Sequence, residues 1–229
     1  MEERVCILID GGNFYHLVLK KVGLTESDFD FDAFATFLAN QRKITEMGKR
    51  YYIGTVRERA GDARSKELMS RQTALFSELK SKNWEIKTSK LRARREVLAI
   101  DSRVDEHEKL QRLGITELHY TRNREKGIDV KLVTDLLVGA MDNKYDTAII
   151  VSSDTDLVPA IDVTRMRLRK KVEYIGFSIA DPADSENATT PLLSMIPRTD
   201  IQRTLIESDI RAFVKPQQAT LPMEGNVDK

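Results

Sequence analysis

Val5-Cys6-Ile7-Leu8-Ile9-Asp10-Gly11-Gly12-Asn13 is the stretch on which the fold turns. Its five apolar residues, rich in β-branching, are too few for a helix, and polar residues do not alternate with them. That is the pattern of a strand covered on both faces, which belongs in a parallel sheet. Thr147-Ala148-Ile149-Ile150-Val151 repeats it, followed by Ser152-Ser153-Asp154-Thr155-Asp156-Leu157. Each strand delivers a carboxylate directly after its last apolar residue. In open parallel sheets ligands sit beyond the carboxyl ends of the strands, so both carboxylates are expected at one edge.

Further strands are predicted at Tyr51 to Val56, Trp84 to Thr88 and Val172 to Phe177. Helical periodicity fills the intervals: Asp32 to Glu46 through Phe34, Phe37, Leu38 and Ile44; Ala63 to Lys80 through Leu68, Leu75, Phe76 and Leu79; and Ile128 to Met141, stopped by Asp142 and Asn143. Alternation in this order predicts a doubly wound, open α/β domain. Tyr51 and Tyr52 alternate on their strand, so at most one is expected in the core. The domain is placed at residues 1–180, with a charged insertion at about 89–125 read as a hairpin or helix with a strand near Glu117 to Thr121. Residues 181–229 are read as an extension with terminal helices at Leu192 to Ile196 and Ile201 to Val214, and a flexible tail from Lys215 onward.

The 229 residues fit one main domain, with 41% hydrophobic and 32% charged residues. A net charge of +1 gives no global attraction to nucleic acid. Local clusters exist at Lys87, Lys90, Arg92, Arg94 and Arg95, at Arg122, Arg124 and Lys126, and from Arg165 to Lys171; such clusters are more often solvated faces. The lone Cys6 cannot pair internally and no zinc spacing is present, which fits a reducing, cytoplasmic setting. No stretch near the start is long and apolar enough for a signal peptide or membrane anchor, so no membrane association is expected.

Asp10 beside Gly11 and Gly12 has the geometry of a ligand site, because glycines let another molecule approach the backbone and Asn13 can orient a water, a phosphate or Asp10 itself. The blander alternative is an Asx turn opening the next helix. Ser153 or Asp154 could likewise cap a helix, though capping does not require the pair Asp154 and Asp156. Asp129, in Lys126-Gly127-Ile128-Asp129-Val130, lies in the first turn of a helix, where the dipole alone favours an acid. Asp135 falls about 240° further round that helix and cannot face the same way. Clustered carboxylates repel one another unless a cation neutralises them, and an oxygen-rich, cysteine-free set selects Mg²⁺ or Mn²⁺. Phosphodiester hydrolysis is the chemistry such an ion supports.

His16 is more often structural than catalytic in such a position. Of Phe14 and Tyr15, one could stack on a base, while burial is expected for one of them. Cys6 is read as core, and His107 and His119 have no cysteine partners for a metal. Gly11 and Gly12 are adjacent and no third glycine opens the helix, so a nicotinamide cofactor is not expected.

With its three motifs in order, Ile9-Asp10-Gly11-Gly12-Asn13, Lys126-Gly127-Ile128-Asp129-Val130 with Leu132 and Asp135, and Val151-Ser152-Ser153-Asp154-Thr155-Asp156-Leu157, the chain resembles the NYN domain family. These are relatives of PIN-like nucleases, and the similarity extends to the LabA-like branch. The resemblance spans about Val5 to Phe177 and implies a PIN-like three-layer α/β/α sandwich with a central, mainly parallel sheet. It further implies an acidic pocket binding Mg²⁺ or Mn²⁺ that cuts RNA, with Asp10, Asp129 and Asp154 as principal carboxylates, Asp156 assisting and Asn13 supporting. Ser152 and Ser153 would orient the acids or a phosphate. Arg124 and Lys126 are candidate phosphate contacts from charge and proximity. Leu157 stands where the family often has an aromatic, and the insertion is a departure that could cover the pocket, meet nucleic acid or mediate homo-oligomer formation.

The function expected is thus a metal-dependent endoribonuclease whose partner is RNA, above all single-stranded regions. Two alternatives remain open: a non-catalytic RNA- or protein-binding adaptor that keeps the fold, and another Mg²⁺-dependent phosphoryl enzyme such as a DNA nuclease. A haloacid-dehalogenase phosphatase would need a second Asp where Gly12 stands.

Overall fold

A computed structural model describes residues 2–56, 58, 61–90, 92–124 and 127–216 of the chain. In chain order the strands are β1 (Arg4–Asp10), β2 (Lys43–Thr55), β3 (Glu85–Lys90), β4 (Arg92–Ala99), β5 (Glu117–Arg124), β6 (Thr147–Val151), β7 (Lys171–Ser178) and β8 (Ile201–Ile206). The helices are α1 (Gly11–Phe14), α2 (Phe31–Ala39), α3 (Ala63–Ser81), α4 (His107–Arg112), α5 (Ile128–Met141), α6 (Val158–Met166) and α7 (Glu207–Arg211). Six strands form one sheet in the order β3-β2-β1-β6-β7-β8, with every neighbouring pair parallel.

The unalternated apolar runs are explained by two cores. Val5, Ile7 and Ile9 pack on one face with Phe14, Phe34, Leu38, Leu75 and Leu79 from α1, α2 and α3. Cys6 and Leu8 pack on the other with Ile128, Leu132, Leu136 and Ile161 from α5 and α6. Burying side chains of this size stabilises the fold by about 1.5–3 kcal/mol each. The result is the α/β sandwich expected. Because both faces are covered, Tyr51 and Tyr52 are both fully buried, one in each core, which corrects the expectation of a single core tyrosine.

Two helices end differently from their sequence periodicity. α2 stops at Ala39, because Asn40 turns left-handed at φ 48° and Gln41 follows at φ 64°. Lys43 to Glu46 then open β2, with Ile44 pairing Val5 before an irregularity in the register. Ile44 falls on the helical period of α2 although it belongs to β2. The helix expected over Ile201 to Val214 is instead β8 followed by the short α7, and no α-helix forms over Leu192 to Ile196. Ile201-Gln202-Arg203-Thr204-Leu205-Ile206 alternates as an edge strand should, and Asp200 anchors its start by accepting the Val172 N–H at 2.8 Å and a bidentate pair from Arg165. The C-terminal segment therefore completes the sheet.

The insertion is both hairpin and helix: β4 and β5 form an antiparallel ladder of their own, with α4 between them. At the amino end of the sheet, Asp146 joins β1 to β6 by accepting the Arg4 backbone N–H (2.9 Å) and its guanidinium (3.0 and 2.8 Å). Of the expected tail, residues 217–229 lie outside the described residues.

Candidate active site

From β1 the chain goes to β2 and β3 on one side of the sheet, and from β6 it goes to β7 and β8 on the other. The carboxyl ends of β1 and β6 therefore flank the topological switch point, where open α/β sheets bind ligands. Asp10 ends β1 with 7% of its surface exposed. Its Oδ1 accepts the Asn13 N–H at 3.0 Å, capping α1, so the Asx turn weighed from sequence is also present. Gly11 is required here: a Cβ would lie within 2.7 Å of Tyr51 Cε1.

Two polar residues join the loops after β1 and β6. Ser152, almost fully buried, donates through Oγ to Asp10 Oδ2 at 3.2 Å and accepts the Asp154 N–H at 3.2 Å. Asn13 Oδ1 accepts the Ser153 N–H at 2.9 Å. Asp154 in turn caps a single 3₁₀ turn, Thr155–Leu157, by accepting the Asp156 N–H at 2.8 Å. Leu157 is buried and holds this turn against the core, leaving Asp154 half-buried and Asp156 exposed.

The third element is the start of α5. Gly127 enters it at φ +85°, a conformation that suits glycine. Ile128 is buried and Asp129, one residue on, is half-buried. Loss of solvent, and then the charges of Asp154 and Asp156, raise the Asp129 pKa above its ordinary value. Repulsion of this kind requires Asp129, Asp154 and Asp156 to share one electrostatic environment, to which Ser152 connects Asp10. Among the described residues, no three acidic, histidine or cysteine side chains are drawn together tightly enough to hold a metal ion as they stand.

A family model for the NYN domain matches residues 4–194. The chain belongs to the NYN domain family. This NYN domain carries the fold of a PIN-like nuclease family, and Asp10 and Asp154 follow the carboxyl ends of two adjacent strands of its sheet. A similar solved structure is a protein of unknown function from Vibrio parahaemolyticus, 17% identical, covering 89% of this chain and 93% of its own, with a TM-score of 0.46. The comparison with curated proteins gives no match. Among the described residues no helix is long and apolar enough to cross a membrane.

Other residues of the NYN domain fall outside the acidic group. Asp135 accepts the Tyr52 hydroxyl at 2.8 Å and lies 3.5 Å from Arg50 and 3.7 Å from Lys87. It therefore braces β2 and β3. Phe14 is buried and stacks on Phe34, with ring centroids 5.6 Å apart. Tyr15 meets His16 edge-on, and both line a cavity of about 380 Å³ bordered by Gly12, Glu26, Gln72 and Leu75. Cys6 is core, its thiol pushed up to about 12 chiefly by burial. Arg124 ends β5 but its side chain lies outside the described set, as does Lys126 entirely.

Glu26 had no sequence signal. Its carboxyl accepts the Tyr51 hydroxyl at 2.5 Å beneath Gly11, and burial raises its pKa. Only the fold brings this residue, from a short 3₁₀ turn, under the Asp10 loop.

Proposed function

We propose that this NYN domain is a metal-dependent endoribonuclease that hydrolyses RNA phosphodiester bonds. The observation that supports it most is that Asp10 and Asp154 follow the carboxyl ends of the adjacent strands β1 and β6, where Ser152 bonds both the Asp10 side chain and the Asp154 backbone; the raised pKa of Asp129, from lost solvent and then from the charges of Asp154 and Asp156, agrees with it. The donors are all oxygen, which suits Mg²⁺ or Mn²⁺ held by Asp10, Asp129 and Asp154 with Asp156 assisting. Bound there, the ion would supply an acidified water and offset charge developing on the phosphate. The residues' own work is positioning: Ser152 fixes Asp10, Asn13 fixes the loop carrying Ser153, and Leu157 fixes the turn carrying Asp156. Ser152 and Ser153 would orient the acids or a phosphate oxygen, and Arg124 and Lys126, candidates from charge and nearness in sequence alone, would meet the backbone phosphates.

The test is cleavage of labelled single-stranded RNA with Mg²⁺ or Mn²⁺, against EDTA and matched DNA, with Asp154→Asn purified in parallel to control for contaminating nuclease. Cleavage that requires the metal and disappears in the variant is expected; cleavage that survives in Asp154→Asn overturns the proposal. The absence of a ready three-carboxylate cluster among the described residues favours a second reading, a non-catalytic RNA- or protein-binding adaptor. RNA binding that is indifferent to EDTA, with no cleavage of any substrate, is its expected signature.

A further inference from the structure

The cavity of about 380 Å³ beside Gly12 lies at the carboxyl end of β2, where Ile53, Gly54 and Val56 line it. β2, β1 and β6 are consecutive in the sheet, so the cavity shares an edge with Asp10 and Asp154. Neighbouring strands lie about 4.8 Å apart, which sets the end of β2 about 10 Å from the end of β6, a step of nucleotide dimensions. The cavity is also tied to the Asp10 loop directly. Glu26, which lines it, accepts the Tyr51 hydroxyl at 2.5 Å, and a Cβ on Gly11 would lie 2.5 Å from that same hydroxyl, which feels the charge of Asp10.

The walls are held in place by the fold. Gln72 of α3 accepts the Val56 N–H at 2.9 Å and donates to the Gly54 carbonyl at 2.9 Å, fixing the end of β2 against α3. Ile53, Val56 and Leu75 give the cavity an apolar side, extended by Leu68, which is 44% exposed. Tyr15 and His16 add aromatic rings, their centroids 5.1 Å apart. Apolar and aromatic walls with a few fixed polar groups make a small-molecule site, and the volume falls within the usual range of about 300–1,000 Å³. Sequence-specific RNA recognition takes unstacked bases in this manner, stacking them on aromatics and bonding their edges.

Hydrogen bonding selects the base. A carboxylate only accepts, and its two oxygens offer about four lone-pair sites, of which the Tyr51 hydroxyl takes one. Burial raises the Glu26 pKa, while the Tyr51 bond favours the charged form. Guanine sets two N–H donors, N1–H and N2–H, side by side on its Watson–Crick edge. Uracil offers one there, and adenine and cytosine place an acceptor beside their donor.

We propose that this cavity is a pocket for one unstacked guanine of the RNA strand, with Tyr15 against the ring and Glu26 accepting from its Watson–Crick edge. Its use in cleavage rests on the ribonuclease proposal above; its binding of guanine does not. The experiment measures binding of the full chain, in EDTA, to fluorescein-labelled oligouridines that carry one central guanosine, adenosine, cytidine or inosine. The guanosine strand is expected to bind about tenfold tighter than the adenosine and cytidine strands, with inosine, which lacks the 2-amino group, in between. Glu26→Gln, whose amide oxygen still accepts from Tyr51, should lose this preference and keep its affinity for the adenosine strand. Leu68→Trp, which fills the mouth from an exposed helical position, should lose it too.

Equal binding of the four strands by the native chain overturns the pocket, as does no binding of any of them. A guanosine preference that persists in folded Glu26→Gln overturns it as well; if that variant fails to fold, persistence in Leu68→Trp has the same meaning. Guanosine preference in EDTA without cleavage in Mg²⁺ or Mn²⁺ would remove the ribonuclease proposal and leave the pocket standing. Metal-dependent cleavage with no base preference in binding would do the reverse.

Discussion

The seam between β1 and β6 treats aspartate in opposite ways at its two ends. At the amino end Asp146 meets Arg4, whose guanidinium and backbone N–H hold its carboxyl down at about 2. Beyond the carboxyl end, Asp129 at the start of α5 loses solvent and feels the charges of Asp154 and Asp156, and its pKa rises. The residue type is the same and the partners are reversed. A carboxylate that serves only the fold is supplied with a cation by the chain itself, whereas a set facing other carboxylates costs stability and is characteristic of a functional site.

The sharpest way to break this comparison is to neutralise one aspartate at each end. Asp154→Asn should reduce RNA cleavage by more than about 100-fold, since even outer-shell residues around a metal are commonly worth 10–100-fold, whereas Asp146→Asn should leave cleavage unchanged in the same assay. Equal losses from the two would show that the ends do not differ in function. Ser152→Ala comes next: without its bonds to Asp10 and the Asp154 N–H, cleavage should fall by about 10- to 100-fold with the fold intact. Circular dichroism together with single-turnover rates would check this.

Gly11→Ala sharpens the comparison sterically. A Cβ there drives into the Tyr51 ring that Glu26 holds, and overpacking of this kind costs about 1–3 kcal/mol. Thermal unfolding should show a fall of about 2–10 °C. A melting point equal to the wild type would mean that Tyr51 yields freely.

The smallest effects are in pH dependence. Asp146 has a depressed folded pKa, so its contribution is complete above its unfolded value of about 3.9 and is lost as pH falls toward about 2. Asp129 has a raised one, so the metal-free protein loses stability as pH rises from the unfolded value through the folded one. In EDTA at neutral pH, Asp146→Asn should lower the melting midpoint by less than about 4 °C and Asp129→Asn should raise it by about 1–3 °C. Shifts of the same sign in both would contradict the contrast.

Much of the architecture was legible because the central strands and α5 are deeply buried. Val5 to Ile9, Thr147 to Val151 and Ile128 to Met141 carry long-range packing in their own composition, and the structure assigns these segments as strand, strand and helix. Legibility failed where a local period misleads. Ile44 continued the rhythm of α2 beyond the left-handed Asn40, and Ile201 to Ile206 is too short and exposed to distinguish an edge strand from a helix face. At the candidate site the acids were visible one by one as strand-end and helix-start residues. Their bonds through Ser152 and Asn13 were not, because nothing local says that residue 10 and residue 152 are neighbours.

By itself the sequence determined which segments must be buried and which carboxylates stand at their ends, since hydrophobic periodicity and turn chemistry are local properties of the chain. Only the tertiary structure decided that β1 and β6 are adjacent, and that Asp129 shares the field of Asp154 and Asp156 while Asp135 turns to Tyr52. Those outcomes depend on strand order and register, which are fixed by contacts among residues far apart in the chain and are written in no single stretch of it.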